Sequence, residues 1–173
     1  MELERWHDFF VLVGTAGATL VALLFVAVSL GSGFLSNKRT APTRAFFSPV
    51  VLHFSVVLFI AAVALMPGHS VRSLAALTGA SALIGVGVSG FIVVQLLRNT
   101  WTEYLIDHLA YGLLPGLCYI ALLVASVMIL SADGTGLDVL AGALLLLLIV
   151  NIRNAWDLTL SMVRHQTDRT RKR

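Results

Sequence analysis

Two polar stretches interrupt an otherwise apolar chain, and both hold groups capable of chemistry. The first, Arg98 to Tyr111 (RNTWTEYLIDHLAY), places one Arg, one Glu, one Asp, one His, one Trp and two Tyr in fourteen residues. The second, Asn151 to Asp157, reads NIRNAWD. On a helix, Glu103 and Asp107 stand four apart and present two carboxylates on one face, and Arg153 and Asp157 have the spacing of an intrahelical ion pair. A metal reading would use Glu103, Asp107 and His108, with His53 as a further donor. His108, however, adjoins Asp107 and points about 100° away on a helix, and neither HExxH nor a paired ExxH motif is present. A nucleophilic reading would rest on Cys118, the single cysteine. A thiol in an apolar run has no visible activator, so it reads as a small buried hydrophobe. No P-loop, dinucleotide fingerprint or serine elbow occurs; GTAGAT and GVGVSG are apolar helix segments whose glycines read as packing. These residues imply no metal, no cofactor and no enzyme class.

The composition explains why polar residues are informative here. Of 173 residues, 58% are hydrophobic and 12% charged, about half the roughly 25% charged of a soluble domain. Mean hydropathy is +0.90. That is an integral membrane protein. The net charge of +3 does not indicate nucleic acid, because the basic residues form two juxtamembrane clusters suited to anionic lipid headgroups. The start, MELERWHD, has three acids and one Arg. A secretory signal needs a basic start, so the first apolar run is expected to remain as a transmembrane helix.

Five apolar runs position the polar groups. The first spans about Phe9 to Leu30, with Trp6 as an interfacial aromatic and a small-residue stripe at Gly14, Ala18 and Ala22 suited to close helix contact. Gly31 to Phe46 reads as a loop carrying Lys38, Arg39 and Arg44, with Pro42 and Pro49 bracketing the next helix start. The second span, about Phe47 to Met66, is apolar except for His53 and Ser55, and Pro67-Gly68 ends it. The third, about Val71 to Leu97, is rich in glycine, with Ser81, Gly85 and Ser89 at steps of four as a second packing stripe. Gly112 and Pro115 interrupt the pattern before the fourth span, about Leu113 to Leu130, and predict an interfacial or kinked helix there. SADGTG is a turn. The fifth span starts near Leu137 and ends in the second polar stretch, followed by the basic, unstructured tail RHQTDRTRKR.

With five spans the two ends of the chain lie on opposite sides. The basic loop and the basic tail then share a side, which the positive-inside rule makes cytoplasmic. The expected fold is therefore an all-α membrane protein of about five transmembrane helices, N-out and C-in, with one domain over 1–163 and a cytoplasmic tail over 164–173. That topology gathers a polar cluster on the cytoplasmic side: His53, Arg98, Glu103, Asp107, His108, Asn151, Arg153, Asn154 and Asp157. His53 lies about 9 Å deep. Ionisable groups at such depth are candidate functional groups, although His53 also suits a helix–helix hydrogen bond and the arginines can extend to phosphates. Trp101, Trp156 and the tyrosines of the first stretch suit an interfacial belt.

WHDFFVLVGTAGATLVALLFVAVSL at the start and NIRNAWDL near the end resemble a family of small uncharacterised bacterial integral membrane proteins. The resemblance covers the two ends and implies a multi-pass protein of a bacterial inner membrane; it carries over no catalytic residue. No internal repeat supports an inverted-repeat transporter. Two functions fit a chain this short and this rich in close-packing surface. One is a homo-oligomeric channel or small permeation protein, its pore lined by Thr15, Thr19 and Ser29. The other is a non-conducting accessory protein that binds a membrane partner or anionic lipid.

Overall fold

In the computed structural model, residues 2–35, 41–98 and 109–171 are described. A single turn of helix, Glu2–Arg5, leads into α1 (His7–Leu35), followed by α2 (Ala41–Leu65) and α3 (Val71–Arg98). A π-helical turn, Leu109–Leu113, opens α4 (Leu114–Leu130), and α5 (Gly136–Arg171) ends the chain. No strand occurs among the described residues. His7–Ala27, Val71–Gln95, Tyr111–Leu130 and Gly136–Asp157 are long and apolar enough to cross a membrane, and Pro49–Leu65 is a shorter apolar helix. The protein is an all-α, polytopic membrane protein built on five long helices.

Helices α2, α3, α4 and α5 each touch the next and close into a four-helix ring, with α1 laid against α2 and α5 from outside. Helix α2 packs against three neighbours, and Val50, His53, Phe54, Val57, Ile60 and Ala61 are all at most 1% exposed. Its shelter within the protein is consistent with a histidine along it.

The α3–α4 contact is made by small residues. Gly79 faces Ser126, Gly116 faces Ser89 and Gly112 faces Val93. Gly85 lies so near the Tyr119 ring that a Cβ there would overlap it. Removing a side chain at each step lets two helices approach along most of their length, as expected of membrane packing. Ser126 adds a polar tie, its hydroxyl donating to the Ala75 carbonyl at 2.7 Å.

On α1 the packing face is Phe10, Val13, Gly14, Gly17 and Leu24, all buried. Gly14 meets Ala61, and a Cβ on Gly17 would stand 3.5 Å from the Phe54 carbonyl oxygen and the Leu58 nitrogen. Of the expected stripe, Gly14 is inside this contact while Ala18 and Ala22 are exposed. The helical step that buries Gly14 also buries Gly17 and turns the other two outward. Of the second stripe, Gly85 and Ser89 are buried and Ser81 is half-buried, its hydroxyl donating to the Leu77 carbonyl at 2.8 Å.

The turns follow the chemistry of their residues. After Pro67, Gly68 takes φ +77°, a conformation glycine adopts at no steric cost, and Ser70 caps α3 by accepting the Ser73 N–H at 3.1 Å. At the other turn Ala132 takes φ 59°, and the Asp133 N–H closes α4 on the Met128 carbonyl at 3.0 Å. One Asp133 oxygen accepts the Thr135 N–H at 2.9 Å and the Thr135 hydroxyl at 2.7 Å. These bonds, the backbone N–H first, hold the exposed carboxyl below its ordinary range.

Three boundaries differ from the sequence expectation. Helix α1 runs through the GSG segment to Leu35 and α2 begins at Ala41, so most of the expected loop is helical. Helix propensity is a weak prior that neighbouring apolar residues override. Pro49 stands inside α2 rather than in its first turn, where it withholds one N–H from the ladder. The tail is helical to Arg171; basic residues at a helix C-terminus are favoured by the helix dipole.

Candidate functional site

Polar side chains are buried at successive depths along the four ring helices and are together called the polar column. Near the Pro67 end, Thr78 and Ser126 are buried. Deeper in the ring, His53 Nδ1 and the Tyr119 hydroxyl are hydrogen-bonded at 2.6 Å. The hydroxyl donates if Nδ1 is bare and accepts if Nδ1 carries the proton. Their ring centroids are 5.3 Å apart and the planes tilted by 48°. This pair links α2 to α4 across the ring, and Gly85 of α3 makes room for the tyrosine.

Beyond the pair, towards the basic end, lie Ser89 of α3, one turn past Gly85, and Asn151 of α5. Ser89 is 1% exposed and Asn151 fully buried. The Asn151 amide donates to the Leu147 carbonyl at 2.7 Å. One turn further, the Tyr111 hydroxyl donates to the Asn154 carbonyl at 3.0 Å. Tyr111 belongs to the π-helical turn. Pro115 explains that turn, because it cannot donate to the Tyr111 carbonyl four residues back and the helix must re-register.

Four buried polar atoms in this column have no hydrogen-bond partner among the described residues: His53 Nε2, Thr78 Oγ1, Ser89 Oγ and Asn151 Oδ1. An unpartnered buried polar group costs about 1–3 kcal/mol. Polar groups retained at that cost inside a membrane bundle are candidate functional groups. The chemistry open to them is hydrogen-bond exchange. The tyrosine hydroxyl can pass its proton to a bare Nδ1 while its oxygen accepts another, and Nε2, which then carries a proton, can release it to the next acceptor.

The sequence-derived candidates separate on this frame. His53, Asn151 and Asn154 are inside the ring. Arg153 and Asp157 lie outside it as an ion pair, Nη2 to Oδ2 at 3.7 Å, with both side chains about half exposed. Such a pair contributes at most about 1 kcal/mol. Arg98 is the last residue of α3. Glu103, Asp107 and His108 lie outside the described residues. Thr15, Thr19 and Ser29 are exposed on α1, away from the ring. The Thr19 and Ser29 hydroxyls donate to Thr15 and Phe25 carbonyls, each at 2.8 Å, so they can face lipid with their donors satisfied. Cys118 is a buried free thiol. Among the described residues no three of His, Cys, Asp or Glu are grouped to hold a metal ion.

Tyr119 is the residue that sequence reasoning missed. It sits in the apolar run LCYIALL with no polar neighbour in sequence. A usable signal was indirect: His53 requires a partner, and a glycine stripe on a neighbouring helix can seat a ring. No family model, curated protein or solved structure matches the chain.

Proposed function

We propose that the protein is a small permeation protein of a bacterial inner membrane, and that its path runs through its own four-helix ring. The observation that supports this is the polar column from Thr78 and Ser126, through Tyr119 and His53, to Ser89 and Asn151. Its groups are hydrogen-bond donors and acceptors, one pair bonded and four atoms without a partner among the described residues, so the proposed permeating species is a proton or a small hydrogen-bonding solute. The conformation is the closed one, with Phe54, Tyr119, Leu122, Leu140, Leu144 and Leu147 filling the ring. Opening would separate the Tyr119 hydroxyl from His53. The basic end faces the cytoplasm by the positive-inside rule. Homo-oligomerisation fits the outward Thr15, Ala18, Thr19 and Ala22 face of α1, which offers small residues to a second copy.

One observation favours the non-conducting accessory reading: the same core, in which large apolar side chains occupy the space between the ring helices. Flux decides between them. Purified protein in liposomes loaded with a pH-sensitive dye is expected to dissipate an imposed pH gradient faster than empty liposomes. His53→Gln and Tyr119→Phe are each expected to change that rate at least fivefold. Wild-type liposomes no leakier than empty ones, to protons or to small polar solutes, would sink the permeation reading and leave the accessory role.

A further inference from the structure

Helices α1 and α5 do not close on each other at the basic end. Between them lies a groove of about 510 Å³ lined by Leu20, Leu24, Phe54, Ile149, Ile152 and Ala155, with Arg153, Trp156 and Thr159 also on its wall. The surface is almost wholly apolar. An apolar trough with one cation on its wall is complementary to an amphiphile with one anionic group, and a hydrocarbon chain carrying a phosphate is the amphiphile that the surrounding leaflet supplies.

Position and charge select the occupant further. The groove carries its polar side chains, Arg153, Trp156 and Thr159, towards the basic end and is wholly apolar at Leu20, Phe54 and Ile149. Thr159 donates its hydroxyl to the Ala155 carbonyl at 2.8 Å, which leaves Arg153 as the charged group on the wall. Its approach to Asp157, at 3.7 Å, is too long for a hydrogen bond. The guanidinium fork can therefore turn to a phosphate, for which its geometry is suited. Trp156 is 64% exposed, at the depth where indoles line a headgroup region.

We propose that this groove is a binding site for one anionic phospholipid of the same leaflet, with an acyl chain between α1 and α5 and the phosphate on Arg153. The site is separate from the polar column and does not depend on the permeation reading.

Trp156 reports on it directly. The full chain carrying Trp6→Phe and Trp101→Phe, reconstituted in nanodiscs, is titrated with phosphatidylglycerol or phosphatidylcholine brominated on the acyl chain. Brominated phosphatidylglycerol is expected to quench Trp156 with saturation at a mole fraction several-fold lower than phosphatidylcholine. Arg153→Gln is expected to reduce that preference at least threefold. Ala155→Phe, which fills the groove and keeps Arg153, is expected to remove the saturable phase for both lipids. Equal, linear quenching by the two lipids would show bulk lipid only and overturn the site. Saturable quenching that appears only when the protein is diluted to one chain per disc would show a second copy over the groove, and would overturn it as well.

Discussion

The α3–α4 seam and the α1–α5 flank are built from similarly apolar helices, yet one is sealed and the other open. Along the seam, Gly79, Gly85, Gly112 and Gly116 each stand opposite a side chain that fills the space the glycine leaves. Along the flank, leucines and isoleucines of both helices hold the backbones apart and a groove of about 510 Å³ remains. Hydropathy does not separate the two, because lipid supplies no hydrophobic drive for one helix to seek another. Side-chain size and shape do. Sealed contact supports a buried polar pair; open contact offers a place for a lipid chain.

The strongest way to break this contrast is Gly85→Ala. Its Cβ would overlap the Tyr119 ring, and overpacking of this kind costs typically about 1–3 kcal/mol. A clear fall in melting temperature in detergent is expected, and most of it should disappear when the same change is made in a Tyr119→Leu background. An unaffected melting temperature would mean the seam is not close-packed. Next is Tyr119→Phe, which leaves His53 without its partner. A loss of about 1–3 kcal/mol is expected for one orphaned buried group. Replacing both partners, as His53→Phe with Tyr119→Phe, should cost less than the two single changes together.

Smaller effects sharpen the comparison at its edges. Ala132 holds a left-handed conformation, φ 59°, at the turn that sets α4 against α5. Ala132→Gly should stabilise by about 1 kcal/mol, read as a raised melting temperature. On the flank, Ala155→Phe should change stability by no more than about 0.5 kcal/mol, because it fills open space; a large loss would show a contact as tight as the seam. The smallest effect is Asp133. Its folded carboxyl is held below its ordinary range, so its contribution is present above the unfolded carboxyl range and is lost as pH falls through the folded one. Asp133→Asn should remove a shallow acid-side decline in melting temperature.

Much of the fold was legible along the chain. The apolar runs, the Pro67-Gly68 turn and the SADGTG turn mark the helices, because lipid requires long uninterrupted apolar helices between polar breaks. Gly14, Gly85 and Ser89 were readable as packing residues from their spacing. Ala18 and Ala22 share the spacing of Gly14, but only the rotation of α1 against α2 decides that Gly17 replaces them in the contact. The site was legible in part. His53 is conspicuous as an ionisable group in an apolar run, and Asn151 and Asn154 as amides at a helix end. Their roles differ from those of Arg153 and Asp157 on the same stretch of helix, because successive helical positions face the ring and the lipid in turn.

By itself, then, the sequence determined a membrane bundle of about five helices, its turns, and the set of polar groups admitted into it. These are consequences of local hydropathy and turn chemistry, which act over one helix length. Only the tertiary structure decided that Tyr119 meets His53, that Thr15, Thr19 and Ser29 face away from the ring, and that α1 and α5 leave a groove. Each depends on the azimuth of one helix relative to another. Where lipid and protein are equally apolar, steric fit and hydrogen bonds between distant residues set that angle.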